Sequence, residues 1–555
     1  MDYSMVAARL QRLALHLEAN AGPQPCAGEA APHAFDIADA QALKSIGGMA
    51  LSPCEGWIAY TVSEKDLKED KSSSSLWLVS TKGGNPIRMS APGLGASSPE
   101  FSPDGKMLCF TASRPIPPVV SGLDETLTTT QVWAHHLGPG GDAQPLTFVK
   151  HGISSFSWSP DLNRPRLLLT ITDPPPDADV EEKERKKPKP WVMDRQQFKR
   201  DYAGYLHNRL GRTHLYVQED GQLTQITSGV WNEGSAAWSP CGTKVAFASN
   251  RTANPDANSC SNIWVVSANN TDQGKSLVQV TADGGAGESA DDGHQNGSPK
   301  WSPDGRCIVY STYPTHPEVM WYATSHLAIA AADGSDAATG GRILTRKLDR
   351  NLRGAEYSAQ GHCIFATLED RGCSHLCSIS LTGAEDEEVT TVVGGEVSVS
   401  SWEIVGDTII TLISTPAHPN EIFVVDGHPA EKDRCAHAFS LPTRFAIHTQ
   451  CTKGKNYYQG ALMKSRTHLW PLCGCRPLRR VTHVNDTVLS SVTLGGVKKV
   501  SFPCKDVRTY THIGSRAMRI DKVNEDVEMF VYTPPVSART CPGGGRHRDP
   551  FQEHC

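Results

Sequence analysis

The chain lacks any uninterrupted apolar run long enough to cross a bilayer. Its 555 residues are 38% hydrophobic and only 7% aromatic, with a mean hydropathy of −0.37. A spanning helix needs roughly 18 or more consecutive apolar residues, so no membrane segment is predicted. The formal net charge of −6 also lacks the basic excess that phosphate binding usually requires. Membranes and nucleic acid are therefore not expected partners, which leaves proteins, peptides or small molecules.

The motifs of the common hydrolases are missing as well. An α/β-hydrolase carries its serine nucleophile on a strand-to-helix elbow, G-x-S-x-G, because only small residues permit that sharp turn. Here G-x-S occurs as GASSP, GISSF, GKSLV, GESAD and GCSHL, and none has the second glycine. The zinc motif H-E-x-x-H and paired C-x-x-C motifs are absent too. We therefore predict no catalytic, cofactor-binding or metal-binding residue.

Two local patterns come close to binding motifs. Gly274-Lys275-Ser276 has the form of the end of a phosphate-binding loop, but Asn269 stands where the leading glycine must be, so a plain turn is expected. On an extended strand, Cys373, His375 and Cys377 would share one face within reach of a metal ion. A fourth ligand is missing, and we favour an outer strand in which the alternation is accidental.

What the chain does have is a repeated phrase, WSPDGRCIVYS, which begins at Trp301. Proline presets the first corner of a turn, aspartate bonds its own backbone, and glycine accepts the left-handed conformation that closes a hairpin. Related phrases are LSPCEGWIAYT from Leu51, FSPDGKMLCFT from Phe101, WSPDLNRPRLLLT from Trp158, WSPCGTKVAFA from Trp238, YSAQGHCIFAT from Tyr357 and WEIVGDTIITL from Trp402. Each phrase predicts a hairpin with a buried second strand.

The spacing of these phrases predicts the fold. Their starts lie 45 to 80 residues apart, near the roughly 40 to 50 residues of a four-stranded propeller blade. The first five are each followed by a second hairpin pattern, and two hairpins alone cannot bury their apolar faces. We predict an all-β, seven-bladed β-propeller over residues 46–490, with the phrases on the inner strands. Insertions are expected at about 173–211 and 426–478.

The segment before the propeller, residues 1–45, is predicted to be a helix and an extension. Val6, Leu10, Leu13 and Leu17 follow helical spacing with polar residues between them. The segment lacks the continuous apolar core of a secretory signal, so a cytoplasmic location is expected. A transit peptide is the alternative interpretation.

The first insertion carries the most specific motif in the chain. The run from Trp191 to Asp201, WVMDRQQFKRD, with the following GYL and RTHL, resembles the third-blade segment of acylaminoacyl-peptidase and dipeptidyl-peptidase-like members of the prolyl oligopeptidase (S9) family. DDGHQNGSPKWSPDG and GDTIITLISTPAHPNEIFVV resemble further stretches of the same family. The resemblance runs from about Ile46 to Thr533.

The resemblance has consequences for function. In that family a propeller covers an α/β-hydrolase domain, and the active site faces the cavity between them. It implies serine hydrolysis of short or N-blocked peptides, with the propeller limiting substrate size. Residues 491–555 would then be linker strands, VSFPCKDVRTY and VEMFVYTPP, leading to an absent hydrolase domain, followed by a disordered tail. Without an elbow we expect this chain to be inactive, and with unpaired strands we expect it to self-associate.

Three functions compete on this basis. The first is the propeller portion of a truncated S9 peptidase. The second is a non-catalytic, TolB-like propeller that binds peptides or a partner protein, since fold alone does not decide function. The third, a WD40-type scaffold, is weakened because no Trp-Asp dipeptide occurs. We rank them in that order.

Overall fold

The computed structural model describes residues 32–138, 140–174, 193, 196–201, 204–205, 212–282, 293–316, 320, 322–337, 341–383, 387–425, 478–503 and 526–533. The predicted helix over Val6–Leu17, most of the 173–211 insertion and nearly all of 426–478 lie outside these residues. The described chain is nearly all-β. None of its helices is both long and apolar enough to cross a membrane.

The described chain begins with a short strand and a short helix. Strand β1 spans His33–Ala34 and helix α1 spans Ile37–Ala42. Asp36 caps this helix through a capping box, because its carboxylate accepts the Asp39 N–H while the Asp39 carboxylate accepts the Asp36 N–H. The chain then enters the first of seven consecutive units.

Each unit contains four antiparallel strands in chain order, and we number these units sheets 1 to 7. Sheet 1 contains β2 (Ser45–Leu51), β3 (Trp57–Asp66), β4 (Lys71–Ser80) and β5 (Ile87–Arg88). Sheet 2 contains β6 (Ser97–Phe101), β7 (Met107–Ala112), β8 (Gln131–His136) and β9 (Gln144–Pro145), with helix α2 (Pro118–Ser121) between β7 and β8. Sheet 3 contains β10 (Ser155–Trp158), β11 (Leu167–Thr172), β14 (Thr213–Glu219) and β15 (Gln222–Gln225). A small separate hairpin, β12 (Lys199–Arg200) and β13 (Gly204–Tyr205), lies between β11 and β14.

The remaining sheets repeat this plan. Sheet 4 contains β16 (Glu233–Trp238), β17 (Lys244–Ser249), β18 (Asn262–Ser267) and β19 (Val278–Gln279). Sheet 5 contains β20 (His294–Trp301), β21 (Cys307–Pro314), β22 (His326–Ala331) and β23 (Arg342–Ile343). Sheet 6 contains β24 (Leu352–Tyr357), β25 (Cys363–Asp370), β26 (Cys373–Ser380) and β27 (Val389–Val393). Sheet 7 contains β28 (Ser398–Val405), β29 (Thr408–Thr415), β30 (His418–Val425) and β31 (Leu478–Arg480), and one parallel bridge joins it to sheet 6.

The chain after sheet 7 forms two further pairings. Helix α3 (Asp486–Ser490) is followed by β32 (Val492–Thr493), which lies parallel to β1. The predicted linker strands are β33 (Gly496–Pro503) and β34 (Asp526–Thr533), and they pair antiparallel with each other. The expectation that these strands are unpaired is therefore wrong, because each strand pairs along one edge with the other strand. Only their outer edges lack a partner strand among the described residues.

Packing between the sheets divides the apolar core into seven clusters, one for each pair of neighbours. Sheets 4 and 5, for example, share a cluster that includes Ile263, Trp301 and Ile308. The cluster between sheets 7 and 1 is here called the seam core. Its members are Ile46, Leu51, Ile58, Tyr60, Val62, Val79, Ile410, Leu412, Ile422, Val424 and Val481. The first sheet is thus packed against the last, as in a propeller-like fold.

The repeated phrase stabilises its own turn and links neighbouring sheets. The Asp304 carboxylate accepts bonds from Ser302 Oγ at 2.6 Å and from the Arg306 N–H at 3.1 Å. Gly305 takes the left-handed conformation, with φ at 69°. The indole N–H of Trp301 donates to the Ala237 carbonyl of sheet 4 at 3.1 Å. The phrase therefore ties its hairpin to the sheet before it.

A β-bulge precedes the aromatic residue of the phrase in four sheets. The residue three positions earlier has positive φ, between 47° and 63°, at Ser98, Ser235, Ser298 and Gly354. The strand register shifts at each of these places. A bulge bends a strand and re-aims the side chains that follow it. Here it precedes the residues that face the centre of the molecule.

The contact between sheets 1 and 7 uses no exchanged strand, because all four strands of each sheet come from one stretch of chain. Polar bonds support the seam core instead. The Leu51 N–H donates to Glu403 Oε2 at 3.0 Å. Asn485 bonds both backbone groups of Lys44, accepting its N–H at 2.8 Å and donating to its carbonyl at 3.0 Å. Side-chain bonds therefore support this junction, together with the parallel pairing of β1 and β32 in the segments that flank sheets 1 and 7.

We expect Ile58→Ala and Ile410→Ala each to lower the free energy of unfolding by about 2 to 5 kcal/mol, because both side chains are fully buried in the seam core. If sheets 1 and 7 share this core, the double variant is destabilised by less than the sum of the two single effects. Urea denaturation of the parent, both single variants and the double variant measures this coupling.

The matched control is Val119→Ala, since Val119 is 91% exposed. This change should leave the free energy of unfolding within about 0.5 kcal/mol of the parent. Strict additivity of the Ile58 and Ile410 effects would contradict a shared core.

Candidate functional site

The inner strands of six sheets surround a cavity of about 640 Å³, here called the axial cavity. Its lining includes Met49, Glu100, Trp158, Lys300, Glu356 and Glu403, which come from sheets 1, 2, 3, 5, 6 and 7 respectively. Pro103 and Pro160 also line it, so it lies beside the turns of the repeated phrase. The strands that carry the phrase are therefore the inner strands of their sheets.

Strand alternation explains why charged residues face this cavity. In sheet 5, Trp301 packs into the core shared with sheet 4, so the preceding residue, Lys300, points to the other side. Glu100 and Glu356 occupy the same position before Phe101 and Tyr357. Glu100 bonds a backbone group of sheet 3, Lys300 lies near Glu356 of sheet 6, and all three residues border the cavity.

Two of the glutamates bond backbone groups of a neighbouring sheet. Glu100 Oε1 accepts the Trp158 N–H at 2.8 Å, and Glu403 Oε2 accepts the Leu51 N–H at 3.0 Å. Burial raises the pKa of Glu100 to about 7. Burial, with a smaller contribution from the nearby carboxylates of Glu356 and Glu100, raises the pKa of Glu403 to about 8. Both side chains therefore titrate close to neutral pH.

A single cation opposes these carboxylates within the cavity lining. Lys300 Nζ lies 3.8 Å from Glu356 Oε2. With three glutamates and one lysine, the lining carries a charge of −2 when all four groups are ionised. At pH values above the pKa values of Glu100 and Glu403, the lining of the axial cavity therefore carries a net negative charge.

Trp158 and Trp402 also belong to the lining, while their side chains pack against the cores shared with sheets 2 and 6 respectively. The Trp402 N–H donates to Thr367 Oγ1 at 3.0 Å, which anchors this ring to sheet 6. A second, smaller cavity of about 190 Å³ lies between the inner strands of sheets 3 and 4 and is lined partly by serine and threonine hydroxyls. The axial cavity is the larger and the only charged one of these two.

Residues of the two patterns that come close to binding motifs, Gly274-Lys275-Ser276 and Cys373/His375/Cys377, form hydrogen bonds within the fold. The N–H groups of Gly274 and Lys275 both donate to Asp272 Oδ1 at 2.9 Å, so the turn binds its own carboxylate. His375 Nε2 bonds the Gly395 carbonyl at 2.9 Å. Cys377 is buried against sheet 5, and its Sγ bonds the Ala366 carbonyl at 3.3 Å. In both patterns these groups are thus bonded within the fold.

One group of described residues brings three possible metal ligands within 4.8 Å of one another, His33, Asp36 and Asp39. The two carboxylates already form the capping box of α1. His33 Nε2 also lies 3.0 Å from Asp39 Oδ2. These contacts serve the short helix, and we assign no metal to them.

A second charged cluster lies at the far end of sheet 4 from the repeated turn. The Arg251 guanidinium lies over the Trp231 ring at 4.6 Å and donates to Glu233 Oε1 at 2.5 Å. Burial raises the pKa of Glu233 to about 6, although Arg251 opposes this shift. The cluster packs into the protein and is best explained as structural.

Comparison with known proteins agrees with these features. No protein-family model matches the chain. It is 26% identical over 228 residues to the uncharacterized peptidase YuxL of Bacillus subtilis (strain 168), an alignment that spans 41% of this chain and 33% of that protein. An acylaminoacyl peptidase in complex with Z-Gly-Gly-Phe-chloromethyl ketone matches with a TM-score of 0.57 at 14% identity, over 91% of this chain and 60% of its own. The Pyrococcus horikoshii acylaminoacyl peptidase matches with a TM-score of 0.56 at 14% identity, over 89% of this chain and 58% of its own.

The predicted resemblance to the prolyl oligopeptidase (S9) family is confirmed. The structural likeness shows a shared propeller-like fold, and the sequence likeness is to a peptidase. This chain spans less than two thirds of the length of each of these relatives.

The charged lining was missed from the sequence, although part of its signal is visible there. Glu100, Lys300 and Glu356 each stand directly before the aromatic residue of the repeated phrase. Alternation along a strand would have placed all three opposite the aromatic side chain. Glu403 follows Trp402 instead, so only the fold reveals that it joins them.

We expect Glu403→Gln to stabilise the folded chain at high pH. The folded-state pKa of about 8 lies above the usual value of 4.5, so the folded chain keeps a proton that the unfolded chain releases between these values. The free energy of unfolding of the parent therefore falls as pH rises through this window, and that of the variant falls less. The amide oxygen of the variant can still accept the Leu51 N–H. At pH 9 the variant should be more stable by at least about 1 kcal/mol, with little difference at pH 5.

Urea denaturation at pH 5, 7 and 9 measures this effect. Glu125→Gln is the control, because Glu125 is exposed and outside the cavity lining. Identical pH dependence in the parent and in Glu403→Gln would show that Glu403 is ionised at neutral pH in the folded chain.

Proposed function

We propose that this chain is the propeller portion of an S9-type serine peptidase, in which it limits the peptides that reach a hydrolase domain. The observation that carries the proposal is the axial cavity, bordered by inner strands of six sheets. If peptides reach a hydrolase domain through this cavity, its lining limits the width of the chain or side chain that passes. The sequence likeness to a peptidase supports the same reading.

We also propose that the seven sheets are the seven blades of a closed ring. The seam core supports this, because it joins side chains of the first and last sheets. Contacts between consecutive turns support it as well. Gly305 lies beside Pro240, Gly361 beside Pro303, and Gly406 beside Glu55 of sheet 1.

The distribution of exposed apolar side chains favours a covering domain on one face. The repeated turn of each sheet joins its first strand to its second. Because the strands are antiparallel, the opposite face carries two other kinds of connection, the one from the second strand to the third and the one from the fourth strand to the next sheet. Ten of the thirteen exposed large apolar residues lie in α1 or in these connections. They are Ile37, Leu67, Leu94, Val119, Val120, Phe148, Met193, Phe198, Val230 and Tyr322. Exposed apolar side chains that share one face are compatible with a contact to another domain.

We expect the purified chain to show no hydrolysis of acylated amino-acid or dipeptide substrates and no labelling by a fluorophosphonate probe. Its sequence contains no G-x-S-x-G elbow, and without an activated nucleophile the main catalytic contributions are missing. Intact-mass measurement after incubation with the probe gives the number of labels per chain. A known serine hydrolase treated in parallel is the control, and labelling near one per chain would refute the expectation.

The second candidate is a non-catalytic propeller that binds peptides or a partner protein. The acidic lining of the axial cavity favours it, since such a lining binds without any nucleophile. The mass of the native protein isolated from its own cells separates the two candidates. A mass well above 60.1 kDa with a labelled serine supports the peptidase, and a mass of that size without label supports the binding module. For either candidate we propose a cytoplasmic location.

We further propose that the chain self-associates through residues 491–555. The hairpin of β33 and β34 has two outer edges without a partner strand among the described residues, and such edges recruit other chains. Removing the residues after Gly495 keeps the pairing of β1 with β32 and should shift the protein to a monomer. Sedimentation velocity over a hundredfold concentration range tests this, and an unchanged oligomeric state would contradict it.

A further inference from the structure

We propose that the axial cavity binds the basic side chain of a peptide, through Glu100 and Glu403. This deepens the proposed function and rests on it only for the ligand being a peptide. No basic side chain of this chain other than Lys300 lines the cavity among the described residues. The ligand class follows from the charge and the free acceptors of the lining.

The free acceptors are the first argument. Glu100 uses Oε1 for the Trp158 N–H, and Glu403 uses Oε2 for the Leu51 N–H. The second carboxylate oxygen of each has no hydrogen-bond partner among the described residues, and both side chains border the cavity. A carboxylate pays a desolvation penalty in such a place unless a cation or a donor reaches it. An ammonium or guanidinium group supplies both charge and donors.

The charge imbalance is the second argument. Lys300 lies 3.8 Å from Glu356 and also acts on Glu100 and Glu403, but it supplies one positive charge against three carboxylates. The remaining charge is close to that of two carboxylates when both are ionised. A monocation is therefore attracted, and an anionic side chain is repelled.

Protonation should control this binding. Glu100 and Glu403 lose their protons near pH 7 and 8, and Glu356 and Lys300 are the other charged groups of the lining. As pH falls from 8.5 to 6, Glu403 and then Glu100 become neutral, so the attraction for a cation decreases. Binding should therefore weaken at lower pH.

Isothermal titration calorimetry with two matched peptides tests the proposal. The probes are N-acetyl-lysyl-alanine amide and N-acetyl-norleucyl-alanine amide, which differ only in the side-chain ammonium. At pH 8.5 the lysyl peptide should bind roughly tenfold or more tightly than the norleucyl peptide, as expected for a charged hydrogen bond. Its affinity should fall at least several-fold at pH 6, beyond any change seen with the norleucyl peptide.

Variants with opposite expected effects make the test specific. The double variant Glu100→Gln/Glu403→Gln should lose the preference for the lysyl peptide, while Lys300→Gln should bind that peptide several-fold more tightly than the parent. Loss of folding cannot mimic such a gain, and Glu125→Gln should behave as the parent. Equal affinity of the two peptides, or a preference retained in the double variant, would overturn the proposal. The titration uses no hydrolysis, so a serine of the purified chain labelled by fluorophosphonate would refute the expected lack of hydrolase activity and leave this result standing.

Discussion

A four-stranded sheet with apolar residues on both faces cannot hide either face by itself, and the rest of the structure follows from this constraint. Each sheet must pack against two neighbours, and the seven clusters of buried side chains are the outcome. The first and last sheets meet the same requirement through the seam core. Because the sheets converge on their inner strands, those strands border a common cavity rather than a packed centre.

The sequence allowed the hairpins to be predicted because their determinants are local. In Pro303-Asp304-Gly305 the turn conformation and the bonds to Asp304 are set within a few residues. The bulges before the aromatic residues were not predicted, since a serine in the left-handed conformation, such as Ser298, has no strong local preference for it. The phrase at Trp402 differs from the others, because its turn is the two-residue Gly406-Asp407 between Val405 and Thr408.

The candidate site could be predicted only in part, for a related reason. Each charged residue occupies an ordinary strand position, and its role depends on five other sheets that lie far away in sequence. Placing Glu100 and Glu403 in this cavity raises their pKa values to about 7 and 8, which is unfavourable for the fold at neutral pH. Unfavourable groups of this kind are concentrated at functional sites. The S9-like phrases indicate the family, whereas our proposal for what this chain binds rests on the cavity.

Amide hydrogen exchange at Leu51 tests the central claim, that the first and last sheets close on each other, most directly. The Leu51 N–H bonds Glu403 of sheet 7, whereas the comparable Trp158 N–H bonds Glu100 of the sheet that precedes it in the chain. In a closed ring both amides are protected from exchange to a similar degree. If Leu51 exchanges at the rate of an unstructured chain while Trp158 stays protected, sheets 1 and 7 are apart and the account is wrong.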